Sequence, residues 1–339
     1  MRQGSELLAR IKTVGLLGGV LFAIVAGWLW SRRTVTLHAR IPERGGWLPA
    51  ELVAQVGQPL RLRLTSEDVL HGFAIGQSNI PAVDVKPGEI TEVTLTFERP
   101  GRYTFYCTRW CGVNHWRMRG VIEVSGAEVA STAIAEPPLY LRLGLDLEAK
   151  PHADVLPARR PSTVRGASLA ALLPRLARYS SEEHLRTHSL LQTWQALRLE
   201  PSLQYLTDQD LWDLVAYLWQ VNASPEALAE ARQLYAANCA ACHGEKGKGD
   251  GIYAAQLTEQ IGSVEEAHSH DPSTTIRVEP TDFTDPTLML AANPARLQGK
   301  IVRGGMGTGM PSWGPIFTEE QTWALVHYLY TFLFEEALP

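Results

Sequence analysis

Cysteine is scarce in this chain, four residues in 339. The four fall in two close pairs, Cys107 with Cys111 and Cys239 with Cys242, so no thiol is left over for a long-range crosslink. That excludes a disulfide framework and makes each pair a candidate site. An excess of one charge is lacking too. The net charge is −5, from 31 Lys and Arg against 36 Asp and Glu, and this mild acidity gives no reason to expect a nucleic-acid partner. One stretch lacks charge altogether: residues 13–31, TVGLLGGVLFAIVAGWLWS. As a helix it would reach about 28 Å, enough to cross a hydrocarbon core. Trp28 and Trp30 sit at one end of it, as interfacial aromatics do. The run is long for the apolar part of a cleaved signal and no A-x-A site follows, so residues 1–34 are expected to hold an uncleaved transmembrane anchor. Arg10 and Lys12 on one side face Arg32 and Arg33 on the other, and flanking charge leaves the orientation open.

The length accommodates more than one core. Residues 35–126 carry short β-rich runs, RLRLT (61–65), EVTLTF (92–97), YTFYC (103–107) and GVIEV (120–124), separated by VGQP, KPGE and RPGR turns. That pattern predicts a β-sandwich. Residues 127–149 open with AEVASTAIAEPP and are expected to be a linker. Beyond them the periodicity is helical to the end. TDQDLWDLVAYLW (207–219) and TEEQTWALVHYLY (318–330) match at six of thirteen positions. In each, Thr is a candidate N-cap ahead of an acidic first turn, and Trp, Leu, Val, Tyr and Leu make one apolar face. Shared Trp and Tyr at equal offsets favour an internal duplication. The expected fold is therefore multi-domain: an N-terminal transmembrane helix, a β-sandwich, and an all-α region divided into 150–224 and 225–339.

CTRWCGVNHWRM (107–118) concentrates soft ligands. Cys111, His115 and Met118 alone would suit a mononuclear copper loop completed by a distant His. Cys107 is the extra element. Two thiolates and two imidazoles can bridge and terminate a pair of copper ions, an arrangement suited to electron transfer. His71, in EDVLHGF, is the natural second imidazole, placed at the end of an apolar strand. A zinc site or a disulfide is the alternative, but Met is a poor zinc ligand and a disulfide has no use for His and Met at these offsets.

Residues 67–124 resemble the copper-A domain of subunit II of haem–copper oxidases, through DVLHGF, DVKPGE, RPGRY, CTRWCGVNHWRM and GVIEV. The resemblance implies a cupredoxin-like sandwich. It also implies a dinuclear centre: Cys107 and Cys111 bridge, His71 and His115 terminate, Met118 is a weaker ligand, and the backbone carbonyl of Arg109 completes the set. Many family members have Glu at the position of Arg109, which puts a nearby magnesium site in doubt. The aromatic run that often precedes the first His is not evident, and the single anchor is like that of B-type oxidases.

NCAACHGEKGKGDG (238–251) holds Cys239-x-x-Cys242-His243, the attachment pattern of a c-type haem. A redox CxxC would call for a thioredoxin-like setting, and a zinc site lacks a second ligand pair. In GGMGTGMPSWG (304–314) Met306 and Met310 are candidates for a sixth ligand. Residues 226–335 resemble class I cytochromes c, whose Met-Pro loop favours Met310 and leaves Met306 to loop packing. Residues 150–224 would then be a degenerate, haem-less cytochrome-like region. His184 and His188 lie one helical turn apart there, and solvated helix histidines are the commoner case.

The resemblances together imply an oxidoreductase-complex subunit: electron-input subunit II of a terminal oxidase with a fused cytochrome c. Its cofactors would be dinuclear copper and one covalent haem c. Its partners would be subunit I, other membrane subunits and an external donor such as a cytochrome c. The N-terminus would be cytoplasmic and the metal domains outside, because haem is attached outside the bacterial cytoplasm. The alternatives are the equivalent subunit of a nitric oxide reductase and a membrane-anchored copper-delivery protein.

Overall fold

The computed structural model describes residues 34–78, 80–112, 114–126, 136–170, 176–255, 279–305 and 309–335. The expected anchor at 13–31 lies outside them. Among the described residues no helix is long and apolar enough to cross a membrane. The chain divides into two compact units, 1–132 and 133–339.

Among the described residues the first unit has nine strands: β1 (Thr34–Ala39), β2 (Trp47–Leu48), β3 (Glu51–Gln55), β4 (Leu60–Ser66), β5 (His71–Ile75), β6 (Val83–Val85), β7 (Thr91–Leu95), β8 (Gly101–Tyr106) and β9 (Arg119–Ser125). They form two sheets, ordered β2-β1-β4-β7 and β3-β9-β8-β5-β6. Alternation along β4 turns Leu60, Leu62 and Leu64 inward and Arg61 and Arg63 outward. The core gathers Leu37, Leu62, Leu64 and Leu95 from one sheet and Phe73, Phe105 and Ile122 from the other. Trp47 meets Phe73 and Phe105 edge-on, at 5.7 and 5.9 Å between ring centroids. This is the expected sandwich. One placement differs. His71 opens β5 instead of ending a strand, because β5 is buried along its whole length and such a strand shows no alternation to mark its start.

The second unit is helical: α1 (Leu139–Arg142), α2 (Thr163–Ala170), α3 (Glu182–Thr187), α4 (Leu190–Arg198), α5 (Asp208–Gln220), α6 (Pro225–Asn238), α7 (Ala240–His243), α8 (Pro286–Met289), α9 (Pro294–Arg303) and α10 (Glu319–Thr331). The two similar segments are α5 and α10. Thr207 and Thr318 cap them, each in a capping box closed by Asp210 or Gln321. Part of the expected linker is built into this unit: Leu147 is buried, Lys300 of α9 donates to Glu148 at 2.6 Å, and Gly299 faces the Tyr140 ring so closely that a Cβ would lie 2.7 Å from it. Buried Asp213 on α5 accepts from Ser162 N at 2.7 Å and Arg165 Nε at 2.7 Å. Arg165 also donates to Glu335, which ties α2 and α5 to the end of the chain.

Candidate metal centre

Antiparallel pairing of β8 and β9 ends at Tyr106 and Arg119, so Cys107 and Met118 begin and end the loop between them. The Cys107 amide donates to the Met118 carbonyl at 3.1 Å and closes it. A 3-10 turn, His115–Arg117, brings His115 back inward. β5 lies beside β8 and supplies His71. Gly72 permits the close approach: a Cβ there would lie 2.0 Å from Thr108 Oγ1.

The structure brings all six sequence-predicted residues of this site together. Cys107 Sγ lies 3.8 Å from His71 Nδ1 and 3.3 Å from the Arg109 carbonyl. Cys111 Sγ lies 3.8 Å from His115 Nδ1 and 3.8 Å from Met118 Sδ. The two sulfurs are 3.9 Å apart and both thiols are free. Each sulfur thus has its own imidazole and one weaker donor. Cys107, His71, His115 and Met118 are each at most 2 % exposed. Soft sulfur and imidazole donors with a thioether suit copper better than a hard cation, so these residues fit a copper centre. The Cys111 thiol, with the imidazoles of His115 and His71, holds the Cys107 thiol far below its ordinary range against the push of burial, while the charged Cys107 and burial raise Cys111. Binding of a metal by both sulfurs would require both thiols to lose their protons.

Asp68 is a residue that the sequence analysis did not single out. Its Oδ1 accepts from His71 Nε2 at 2.8 Å, and the amides of Ile41 and Val69 hold the carboxylate at 2.8 and 2.7 Å. The hydrogen bond fixes the tautomer that leaves Nδ1 facing Cys107. An acid three residues ahead of a ligand His was the available signal. Asp68→Ala should weaken copper binding about 10–100-fold; copper titration of the metal-free protein checks this, and unchanged affinity would remove Asp68 from the site. On the outer side the Trp110 ring packs on His115, with centroids 4.6 Å apart. The Arg109 guanidinium reaches Asp84 at 2.8 Å, so this side chain is engaged in an ion pair while its carbonyl faces Cys107.

In the second unit Cys239 ends α6, and Cys242 and His243 belong to the short α7. The His243 amide donates to the Cys239 carbonyl at 2.9 Å. His243 Nδ1 donates to the Thr281 carbonyl at 3.2 Å and the ring stacks on Phe283, 4.7 Å away, which makes Nε2 the nitrogen that could serve as a metal donor. Burial lowers the pKa of His243 and pushes the thiols up, Cys239 to about 12 and Cys242 to about 11. Two thiols and an oriented imidazole at one helix end fit a covalently held haem. Met310 lies in the loop after α9, where its carbonyl accepts from Gly305 N at 3.1 Å. The same loop returns to α9 through Trp313 N and the Ile301 carbonyl, 3.0 Å apart. Met306 lies outside the described residues. His184 and His188 stack at 4.2 Å; His188 is exposed, but His184 is half-buried and shares a 3.0 Å hydrogen bond with Thr193.

Residues 48–125 match the family described as "Cytochrome C oxidase subunit II, periplasmic domain", and residues 228–332 match "Cytochrome c". A cytochrome c oxidase subunit 2 of Thermus thermophilus is 40% identical over 79 residues, 23% of this chain and 58% of the relative. A second subunit 2 from that species has the same identity over 46% of its length. The chain thus spans about half the length of these relatives. The solved periplasmic domain of subunit II of cytochrome oxidase from Bradyrhizobium japonicum is 20% identical, with 28% of this chain and 86% of that chain covered and a TM-score of 0.25. The chain thus carries a segment that matches the periplasmic domain of cytochrome c oxidase subunit II and, after it, a segment that matches cytochrome c.

Proposed function

We propose that this chain is the electron-input subunit of a terminal haem–copper oxygen reductase. The observation that carries this reading is the paired arrangement at 107–118: two sulfurs 3.9 Å apart, each beside its own imidazole. Cys107 and Cys111 would bridge two coppers, His71 and His115 would terminate them, and Met118 and the Arg109 carbonyl would complete the set. When bound, the dinuclear copper and one haem c would each carry a single electron, from an external donor toward the haem of a partner subunit I. The β8–β9 closure and the buried donors keep ligand positions fixed and water out, which lowers the reorganisation that an electron's arrival demands. Cys239 and Cys242 would attach the haem, with His243 and Met310 as axial ligands. Residues 13–31 would anchor the chain in the bacterial cytoplasmic membrane, N-terminus inside, with both units outside. A copper-delivery role leaves the cytochrome c domain without a purpose.

Metal analysis of the full chain tests the ligand count. Two coppers and one iron per chain are expected. A single copper, or zinc in its place, would overturn the dinuclear assignment.

A further inference from the structure

We infer that the second unit is an internal pair. In this pairing, residues 163–220 form a haem-less cytochrome-type repeat docked on the haem-bearing repeat across an approximate two-fold axis. The surface made by α10 and the start of α9 is then an interaction face, and its partner is a copy of the same fold supplied within the chain.

Three sets of contacts carry this. Trp219 and Tyr330 stand at the same place in the two similar helices, twelve residues after the capping Thr207 and Thr318. They touch each other, ring centroids 4.5 Å apart. Equivalent residues that meet mark the axis of an isologous interface. Away from that point the contacts are reciprocal. Ser189 caps α4 and Asn293 caps α9. Asn293 Nδ2 donates to the carbonyl of Thr187, just before the Ser189 cap, at 2.6 Å. Leu191 N, just after that cap, donates to the carbonyl of Leu290, just before the Asn293 cap, at 2.9 Å. Each helix start thus reaches the segment that leads into the other.

The third set lies within each repeat. α2 crosses α5 at Gly166, where a Cβ would lie 2.0 Å from the Asp213 carbonyl oxygen and 2.7 Å from Tyr217 Cβ. α6 packs on α10 with Ala231 fully buried and with Tyr235 5.3 Å from Tyr328. Tyr217 and Tyr328 again occupy equivalent positions. In each half an opening helix packs against the closing helix that carries this tyrosine. The halves differ at the haem: residues 163–220 contain no cysteine, so no thioether can form there. The face between them is closed, with Tyr330 at 0% and Trp219 at 2% exposure. A second cytochrome in solution cannot use it.

An exchange of the two axial residues in the full, haem-loaded chain tests the pairing. Trp219→Tyr opens a gap and Tyr330→Trp overfills the opposite side. Each should lower the melting temperature by about 2–6 °C. In the double variant W219Y/Y330W the bulk is restored on the other side of the axis, and more than half of the summed loss should return. A loss in the double variant equal to the sum of the singles, or no loss in either single, overturns the pairing. The haem spectrum, unchanged in all three, separates this effect from damage to the haem ligands. A protease site placed at 221–224, between α5 and α6, gives a second measurement. After cleavage both halves should still migrate as one particle, and their separation overturns the proposal.

Discussion

Replacing Cys107 with serine is expected to reduce the copper content from two per chain to one. Cys111, His115 and Met118 stay together without Cys107, at 3.8 Å from sulfur to each partner, and a Cys–His–Met set is a mononuclear copper site. The Arg109 carbonyl and His71 lose the sulfur they face. With one bridge gone, an electron cannot be shared over two equivalent nuclei. Electron paramagnetic resonance of the oxidised variant should therefore show hyperfine splitting from one copper in place of two. An unchanged spectrum with two coppers bound would contradict the bridging role of Cys107. The fold should survive, because the loop is closed by backbone, Cys107 N to Met118 O, which serine retains.

The second large effect is expected at Met310. Met310→Ala removes the proposed soft axial ligand, so the iron–sulfur absorption band should vanish. The haem potential should fall by a sizeable part of the roughly 0.8 V over which axial ligands tune it. If electrons come in through the haem, reduction of the copper by the external donor should slow in step, while copper reduced beforehand should still empty into the partner subunit at the normal rate. Stopped-flow reduction with the natural donor makes the comparison. Copper reduced as fast as in the parent would mean that electrons bypass the haem. A Met306→Ala variant should leave band and potential unchanged, and the reverse outcome would reassign the ligand.

The gathering of these side chains was largely legible in the sequence because five of the six expected residues sit in one loop, at offsets that chemistry restricts. His71 was legible through its motif, but its strand was not: a strand buried on every residue leaves no periodic trace. Asp68 was missed although it stands in the same quoted motif. Its role depends on the turn that aims its carboxylate at His71, and spacing alone does not give that direction. The linker expectation for 127–149 followed its opening AEVASTAIAEPP and gave too little weight to the leucines after Pro138, among them buried Leu147. The repeat was visible as matching residues. That the two similar helices meet at Trp219 and Tyr330 was not, since likeness in sequence says nothing about contact.

Gly72 has an evolutionary consequence. Its missing side chain is the space that Thr108 occupies. Any substitution there has to shift the side chain of Thr108, the neighbour of Cys107. A lineage that lost this glycine would have to change Thr108 as well or rebuild the loop that starts there. Position 72 is thus expected to vary in step with position 108.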